Sequence, residues 1–432
     1  MDQETNKLKL MNLLLTATNE IVEPVFRNDT IVFGLLFGAL ALIFYTSSKK
    51  TKFWNIFYKI LPPLLLCYLI PSILTSFNII SKDYSGLYTM AKNFLLPASL
   101  VLMTLSIDLK ALTKLGPKAL IMFFTGTLGI IIGGPIAILI VSTFSPETVG
   151  GIGPDAVWRG LSTLAGSWIG GGANQAAMLE IFKYNQEKYG AMVLVDIVVA
   201  NLWMATLLIG ITKTKKIDKW LKADTSSIDE LKDRVENYQN SIAKVPTLKD
   251  YMIIGGIAFL SVSIGHLFAG YLSTYFKASE TFSQTTLASS FFWLIVIVTT
   301  IGLVLSNTKA RELEGVGASK IGGVFIYILV ATIGMKMDIT KMLNHLDLLL
   351  VGVIWMMIHA ILLIVVAKII KAPFFFLAVG SKANVGGAAS APIIAAAFHP
   401  SLASVGVLLA VLGYAVGTYG ALLCAYLMEV AS

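Results

Sequence analysis

Charge is scarce in this chain. Only 13% of its 432 residues are Asp, Glu, Lys or Arg, where a soluble domain carries roughly 25%. So little charge cannot furnish a water-facing surface for a chain this long, which excludes a soluble globular protein. Histidine is rarer still, with four copies, and the two cysteines, Cys67 and Cys424, stand alone inside apolar segments. The absence of CxxC spacing excludes a disulfide framework and a thiolate metal site. No His is followed by Glu, so the His-Glu-x-x-His zinc motif is missing, and so is the Gly-x-x-x-x-Gly-Lys-Ser/Thr phosphate loop. Gly166-Ser167-Trp168-Ile169 lacks the glycine that follows the nucleophile in intramembrane serine proteases. Neither ATP drive nor hydrolysis is supported. The chain is not expected to be an enzyme, and no cofactor is called for apart from a coupling ion. The roughly ten-residue alternation of an outer-membrane barrel is also missing.

What the chain has is apolar sequence: 56% of it is hydrophobic. Apolar segments occupy roughly 30–46, 55–76, 90–107, 117–144, 158–182, 190–212, 251–276, 285–306, 320–337, 346–370, 373–398 and 403–429. Several are near the ~20 residues that cross a bilayer, so the fold class is an all-α polytopic membrane protein of the bacterial plasma membrane. The net charge of +8 resides largely in short loops between these segments. That is an orientation signal in a membrane protein, so nucleic acid is not an expected partner. Met1–Lys9 is polar and does not resemble a cleavable signal peptide. Leu10–Phe26 reads as an interfacial amphipathic helix. The chain divides into an N-terminal polar segment at 1–29, a first transmembrane repeat at 30–212, a charged linker at 213–250 and a second repeat at 251–432. The linker holds nine Lys or Arg and seven Asp or Glu, and Ile228–Ile242 can form an amphipathic surface helix.

Two segments carry a related motif. Gly166–Met178 reads GSWIGGGANQAAM and Gly380–Pro392 reads GSKANVGGAASAP, at matching places in the two halves. The halves also match earlier, where one segment ends LSIDLKAL with Asp108 and another ends GMKMDITKM with Asp338. A glycine-interrupted helix duplicated in both halves points to a secondary-transporter binding site. If every segment crosses the membrane, the basic loop at 213–250 falls opposite the basic loop at Lys49–Lys52. If each motif segment instead returns to its starting side, the basic loops at Lys49–Lys52, Lys110–Lys118, Lys213–Lys249, Lys309–Lys320 and Lys368–Lys371 share the cytoplasmic side. The second arrangement is preferred. Each half then has about five spans plus one discontinuous or re-entrant helix, and the repeats are inverted, giving a core and a scaffold.

The candidate substrate-binding residues are those of the motifs: Ser167, Gly170, Gly171, Gly172, Asn174 and Gln175 in the first, and Ser381, Lys382, Asn384, Gly386, Gly387 and Ser390 in the second. Three successive glycines cost a helix ~1 kcal/mol each relative to alanine, a penalty that makes sense where the chain must turn or let a ligand approach the backbone. The alternative is close packing of helices through small residues. Asp196 is the only acidic residue well inside an apolar span. It is the candidate ion-coupling group and Na⁺ ligand, or else a protonated acid hydrogen-bonded between helices. Asn201, a little over one turn further on, is the second ion-coupling candidate. Lys382 can neutralise Asp196, bind a substrate carboxylate, or snorkel to water. His266 and His359 read as hydrogen-bonded structural histidines.

With these motifs and their spacing, the chain resembles the YjcL-like family of integral membrane proteins (domain of unknown function 819) from about residue 30 to the end. That family in turn resembles the superfamily of cation/proton antiporters and bile-acid/sodium symporters. The resemblance implies inverted repeats, two discontinuous helices meeting near the midplane, and elevator movement of a core against a scaffold. It also implies Asp or Asn near the crossing, which Asp196, Asn174 and Asn384 match. The paired Asp-Asp motif of the antiporters is missing. The expected function is Na⁺- or H⁺-coupled transport of a small polar or anionic solute: amino-acid-like, a dicarboxylate, or a cell-wall peptide or muropeptide. The alternative is cation/proton antiport without organic cargo. The expected partners are the lipid bilayer, the solute, its coupling ion and, by analogy, a second copy in a homodimer.

Overall fold

The computed structural model describes residues 23–81, 85–108, 112–113, 115–224, 245–283, 285–337, 345–399 and 402–432. Asp338 and the segment 228–242 lie outside the described residues, as does most of the N-terminal segment. The described chain is helical. Its principal helices are α1 (Asp29–Ser47), α2 (Lys52–Ile60), α3 (Pro63–Ser76), α4 (Leu96–Leu105), α5 (Pro117–Ser142), α6 (Val157–Ile181), α7 (Tyr189–Ile211), α8 (Thr214–Leu221), α9 (Leu248–Lys277), α10 (Ser290–Ser306), α11 (Ala318–Gly334), α12 (Leu348–Ile369), α13 (Phe374–Asn384), α14 (Gly387–Phe398) and α15 (Ala403–Ala431). Six of them, α1, α5, α7, α9, α12 and α15, are long and apolar enough to cross a membrane on their own. The protein is therefore a multi-pass membrane protein. Fewer helices meet that length than the ten or so spans expected from hydropathy. The reason is local: α11 has 17 residues, about 25 Å at 1.5 Å per residue, and the apolar segment 55–76 breaks before Pro63, where proline favours a helix start.

α6 is not a straight rod. Gly171 sits at φ 74° within it, a left-handed value natural to glycine, and the chain reverses there. Arg159 Nη1 donates to the Phe182 carbonyl at 2.6 Å, and Asn185 N donates to the Pro154 carbonyl at 2.9 Å. A straight helix would hold residues 159 and 182 about 35 Å apart. A Cβ placed on Gly166 would lie 2.6 Å from the Asn174 carbonyl oxygen, so the two arms touch along their length. α13 and α14 repeat the device. Gly386 and Gly387 adopt φ 105° and 52° between them, and Phe398 returns to Phe374 and Phe375, with ring centroids 5.9 and 5.3 Å apart. Both motif segments thus double back as helical hairpins.

This reversal fixes which loops share an end. Lys118 pairs with Asp224 at 2.9 Å, Asp224 N donates to the Lys371 carbonyl at 3.1 Å, and Lys368 lies over the Trp220 ring. The basic segments after α4, α7 and α12 therefore gather at one end of the molecule. At the opposite end Thr148 donates to Asp347 at 2.8 Å.

The helices sort into two bundles. α1, α3, α4, α9, α10 and α11 pack on one another, and α5, α6, α7, α12, α13, α14 and α15 form the second. Each bundle draws on both halves of the sequence. We call the second bundle the core.

Candidate functional site

α15 organises the core. Along it, Gly406 abuts the Ala391 carbonyl, Gly413 abuts the Ile169 carbonyl, 2.7 Å from an added Cβ, and the Ala383 carbonyl, 3.3 Å from it, and Gly417 meets Gly170. Near its C-terminal end Tyr426 stacks edge-on against Phe182. The two hairpins therefore lie on α15 from opposite directions, and their tips meet beside Gly413. Glycine is needed there because backbone carbonyls occupy the space a side chain would take.

Each tip is pinned through an asparagine. Asn174 donates to the Gly170 carbonyl (3.0 Å) and the Tyr414 carbonyl (3.1 Å), and accepts from Thr418 Oγ1 (2.5 Å). Asn384 donates to the Gly380 (3.0 Å) and Phe123 (2.9 Å) carbonyls and accepts from Thr127 Oγ1 (2.7 Å). The pattern is the same in both: a carbonyl and a threonine four residues later on the facing helix engage the amide from both ends. Neither amide is exposed. In this conformation both asparagines hold the hairpins to the core, with neither amide hydrogen left to donate to a solute.

Asp196 on α7 lies behind the first tip. Its Oδ2 accepts from Ser167 Oγ (2.7 Å) and Gln175 Nε2 (3.1 Å), and Oδ1 accepts from Trp168 Nε1 (2.7 Å). Ser167 and Gln175 belong to opposite arms, so only the reversal at Gly171 lets one carboxylate gather both. Three donors aimed at one buried acid compensate a negative charge. Asn201 does not share this environment. It is exposed, and its amide donates to its own helix at the Ile197 carbonyl, because five residues rotate a helix by about 500°, leaving the side chains ~140° apart.

The second arm of the site holds Ser381 and Lys382. Trp203 Nε1 donates to Ser381 Oγ (2.7 Å), and His359 Nε2 lies 2.8 Å from the same oxygen. His359 Nδ1 faces the Gly126 carbonyl at 2.9 Å. A carbonyl only accepts, so Nδ1 carries the proton and Nε2 accepts from Ser381, giving one directed chain. His359 is thus a fully bonded core histidine. His266, on α9, lies 3.0 Å from the Asn93 carbonyl. Lys382 is 2% exposed. It feels the charge of Asp196, but Asp196 is occupied by its three donors, and the two form no ion pair. Ser390 Oγ and Gln175 Oε1 are buried without a partner.

Ser167, Gln175 and Asp196 are therefore brought together, as are Lys382, Gly386 and Ser390. Gly170, Gly171 and Gly172 form the first tip, with Gly172 facing Ile326 of the other bundle. Sequence reasoning gave no role to Trp168, Trp203, Thr127 or Thr418. Trp168 stood inside a quoted motif, yet an indole in apolar sequence looks like packing. Asp108, at the end of α4, is buried against Arg311 at 3.0 Å. Among the described residues no cluster of three or more His, Cys, Asp or Glu is arranged to hold a metal ion.

The family described as "Protein of unknown function (DUF819)" matches residues 34–430. The chain is also similar to "Uncharacterized membrane protein YjcL" of Bacillus subtilis (strain 168), with 24% identity over 347 residues, 78% of this chain and 82% of that protein.

Proposed function

The chain belongs to the DUF819 family, and on that premise we propose that it is a secondary active transporter of a small polar or anionic organic solute, coupled to Na⁺ or H⁺. The observation that carries this reading is the meeting of two helical hairpins, tip to tip, halfway along α15. Non-helical backbone at membrane depth is tolerated where it is enclosed by protein or lines a polar cavity, and helix ends at such breaks suit ions and charged ligand groups. The two halves are read as inverted copies, each supplying one hairpin, so that one site faces the two sides alternately.

Asp196 serves as the coupling group in this reading. Na⁺ or H⁺ binding there changes the charge beneath the first tip and loosens or tightens its hold on Ser167 and Gln175. Since those residues sit on opposite arms, the ion acts on the hairpin as a unit. The core then moves against the other bundle with solute and ion aboard. Such movement is ion-driven only if ion and solute bind the two states unequally. The basic end, carrying Lys118, Lys213–Lys222 and Lys368–Lys371, is assigned to the cytoplasm. No bond-making chemistry is proposed.

The test is solute uptake into proteoliposomes holding the purified protein, with Na⁺ and pH gradients imposed separately. Uptake of an organic solute that follows one gradient supports the reading. Cation flux in proton-loaded vesicles, indifferent to every organic solute, would replace it with cation/proton exchange.

A further inference from the structure

The second hairpin's tip carries positive charge and donors that no hydrogen bond or ion pair among the described residues satisfies. α14 has 12 residues, begins at Gly387 and has no capping side chain. Its first turn therefore presents amide N–H groups without intrahelical partners and the positive end of the helix dipole. Lys382 points at the same place: a Cβ built on Gly386, the residue that precedes the helix, would lie 3.0 Å from its Nζ. The lysine is 2% exposed and makes no hydrogen bond or ion pair with the described residues. Ser390, one turn into α14, has a buried hydroxyl without a partner.

An ammonium beside a helix N-terminus is an unfavourable pairing of like signs, and burying either without a counter-charge is costly. Asp196 does not supply that counter-charge by contact: its carboxylate accepts from Ser167, Trp168 and Gln175 and forms no ion pair with Lys382. Three kinds of donor thus converge on one point: an ammonium, a hydroxyl and helix N–H groups. The positive φ at Gly386 and Gly387 marks the sharp turn by which the chain enters α14. A cationic ligand would meet repulsion there, and a neutral carbonyl would satisfy the donors without balancing the charge.

We propose that the tip formed by Lys382, Gly386, Gly387 and Ser390 is an oxyanion subsite that receives the carboxylate or phosphate of the solute. The assignment rests on the transporter reading for the word solute, but the site itself does not. Lys382 supplies the charge, α14 the directed amides, and Ser390 a hydroxyl that selects an oxygen acceptor. Gln175 Oε1, the buried acceptor left unpaired at the first tip, remains for a donor group elsewhere on the same molecule.

The experiment uses the full-length protein in detergent and titrates formate, acetate, succinate, L-glutamate and inorganic phosphate. Each carboxylate is paired with its uncharged amide, and binding is followed by calorimetry and thermal shift. The wild type should bind at least one anion and prefer it to its amide. Lys382→Met should weaken that anion by about tenfold or more, since a hydrogen bond to a charged group contributes that much. Ser390→Ala should weaken it about several-fold while leaving the melting temperature unchanged or raised, because the hydroxyl has no partner to lose. The carboxylate and phosphate arms distinguish the two sources of the oxyanion. Wild-type protein indifferent to every anion overturns the proposal, as does a folded Lys382→Met that keeps the preference for anion over amide. If Lys382→Met does not fold, Ser390→Ala decides: unchanged anion affinity overturns the subsite. In proteoliposomes, uptake of an uncharged solute unaltered in both variants would end the subsite and keep the transporter. Anion binding without any flux would do the reverse.

Discussion

Asp196 shows what a single residue discloses and what it conceals. A carboxylate in VLVDIVVANLW is conspicuous because apolar surroundings penalise it, and the structure surrounds it with three donors. The donors were not equally legible. Ser167 and Gln175 lie eight residues apart in a motif that could have been a straight helix, which would have placed them about 12 Å from each other along its axis. Thr127 and Thr418 gave no signal, because a hydroxyl in an apolar span can bond to its own helix, and only the tertiary fold brings each against an asparagine. Substitution of Asp196 by Asn keeps the volume but exchanges an accepting oxygen for an NH₂ that faces donors. Stability should fall by about 1–3 kcal/mol from the stranded groups, read as a lower thermal midpoint. Solute uptake by Asp196→Asn should no longer respond to the Na⁺ or pH gradient. Uptake that keeps its gradient dependence removes Asp196 from the coupling role.

At the scale of elements, the glycine motifs announced a break without saying which way the chain leaves it. A 25-residue span and a hairpin of the same length have the same composition, and only contacts such as Arg159 with Phe182 separate them. The loop charges leaned toward the hairpin, and the meeting of Lys118, Asp224 and Lys371 at one end agrees with it. Where the hairpins bear on α15, small residues matter for reasons the sequence does not carry. Gly413 faces two backbone carbonyls, which cannot swing aside like a side chain. Gly413→Ala should destabilise by about 1–3 kcal/mol through overpacking and depress uptake, since it parts the two tips. Gly256→Ala on α9, where nothing lies within 4 Å, should leave the thermal midpoint unchanged or raised, as alanine favours a helix by up to ~1 kcal/mol over glycine. Equal effects at the two positions would contradict the tight seat on α15.

The whole molecule is two bundles that each take helices from both halves of the chain, and this interleaving was the least legible feature, because hydropathy orders segments along the sequence and not in space. Contacts between the bundles are thin and specific. Lys92 pairs with Glu180 at 2.5 Å, Tyr68 and Tyr189 approach through their hydroxyls, and Thr299 on α10 meets Thr418 on α15 with oxygens 3.3 Å apart. If the core slides as a body, that last pair must separate in every transport cycle. The double variant Thr299→Cys with Thr418→Cys places two thiols where the hydroxyls now touch, close enough for a disulfide with little backbone adjustment. The native cysteines, Cys67 and Cys424, are buried and free. Oxidation should arrest uptake and reduction should restore it, with the reduced double variant as its own reference for any loss at Asn174, which Thr418 holds. Solute binding should survive oxidation, because the tips of both hairpins remain in place on α15. Uptake that continues at full rate across a verified disulfide would mean that α10 and α15 never part, and the movement would then have to lie within the core, at the hairpin tips.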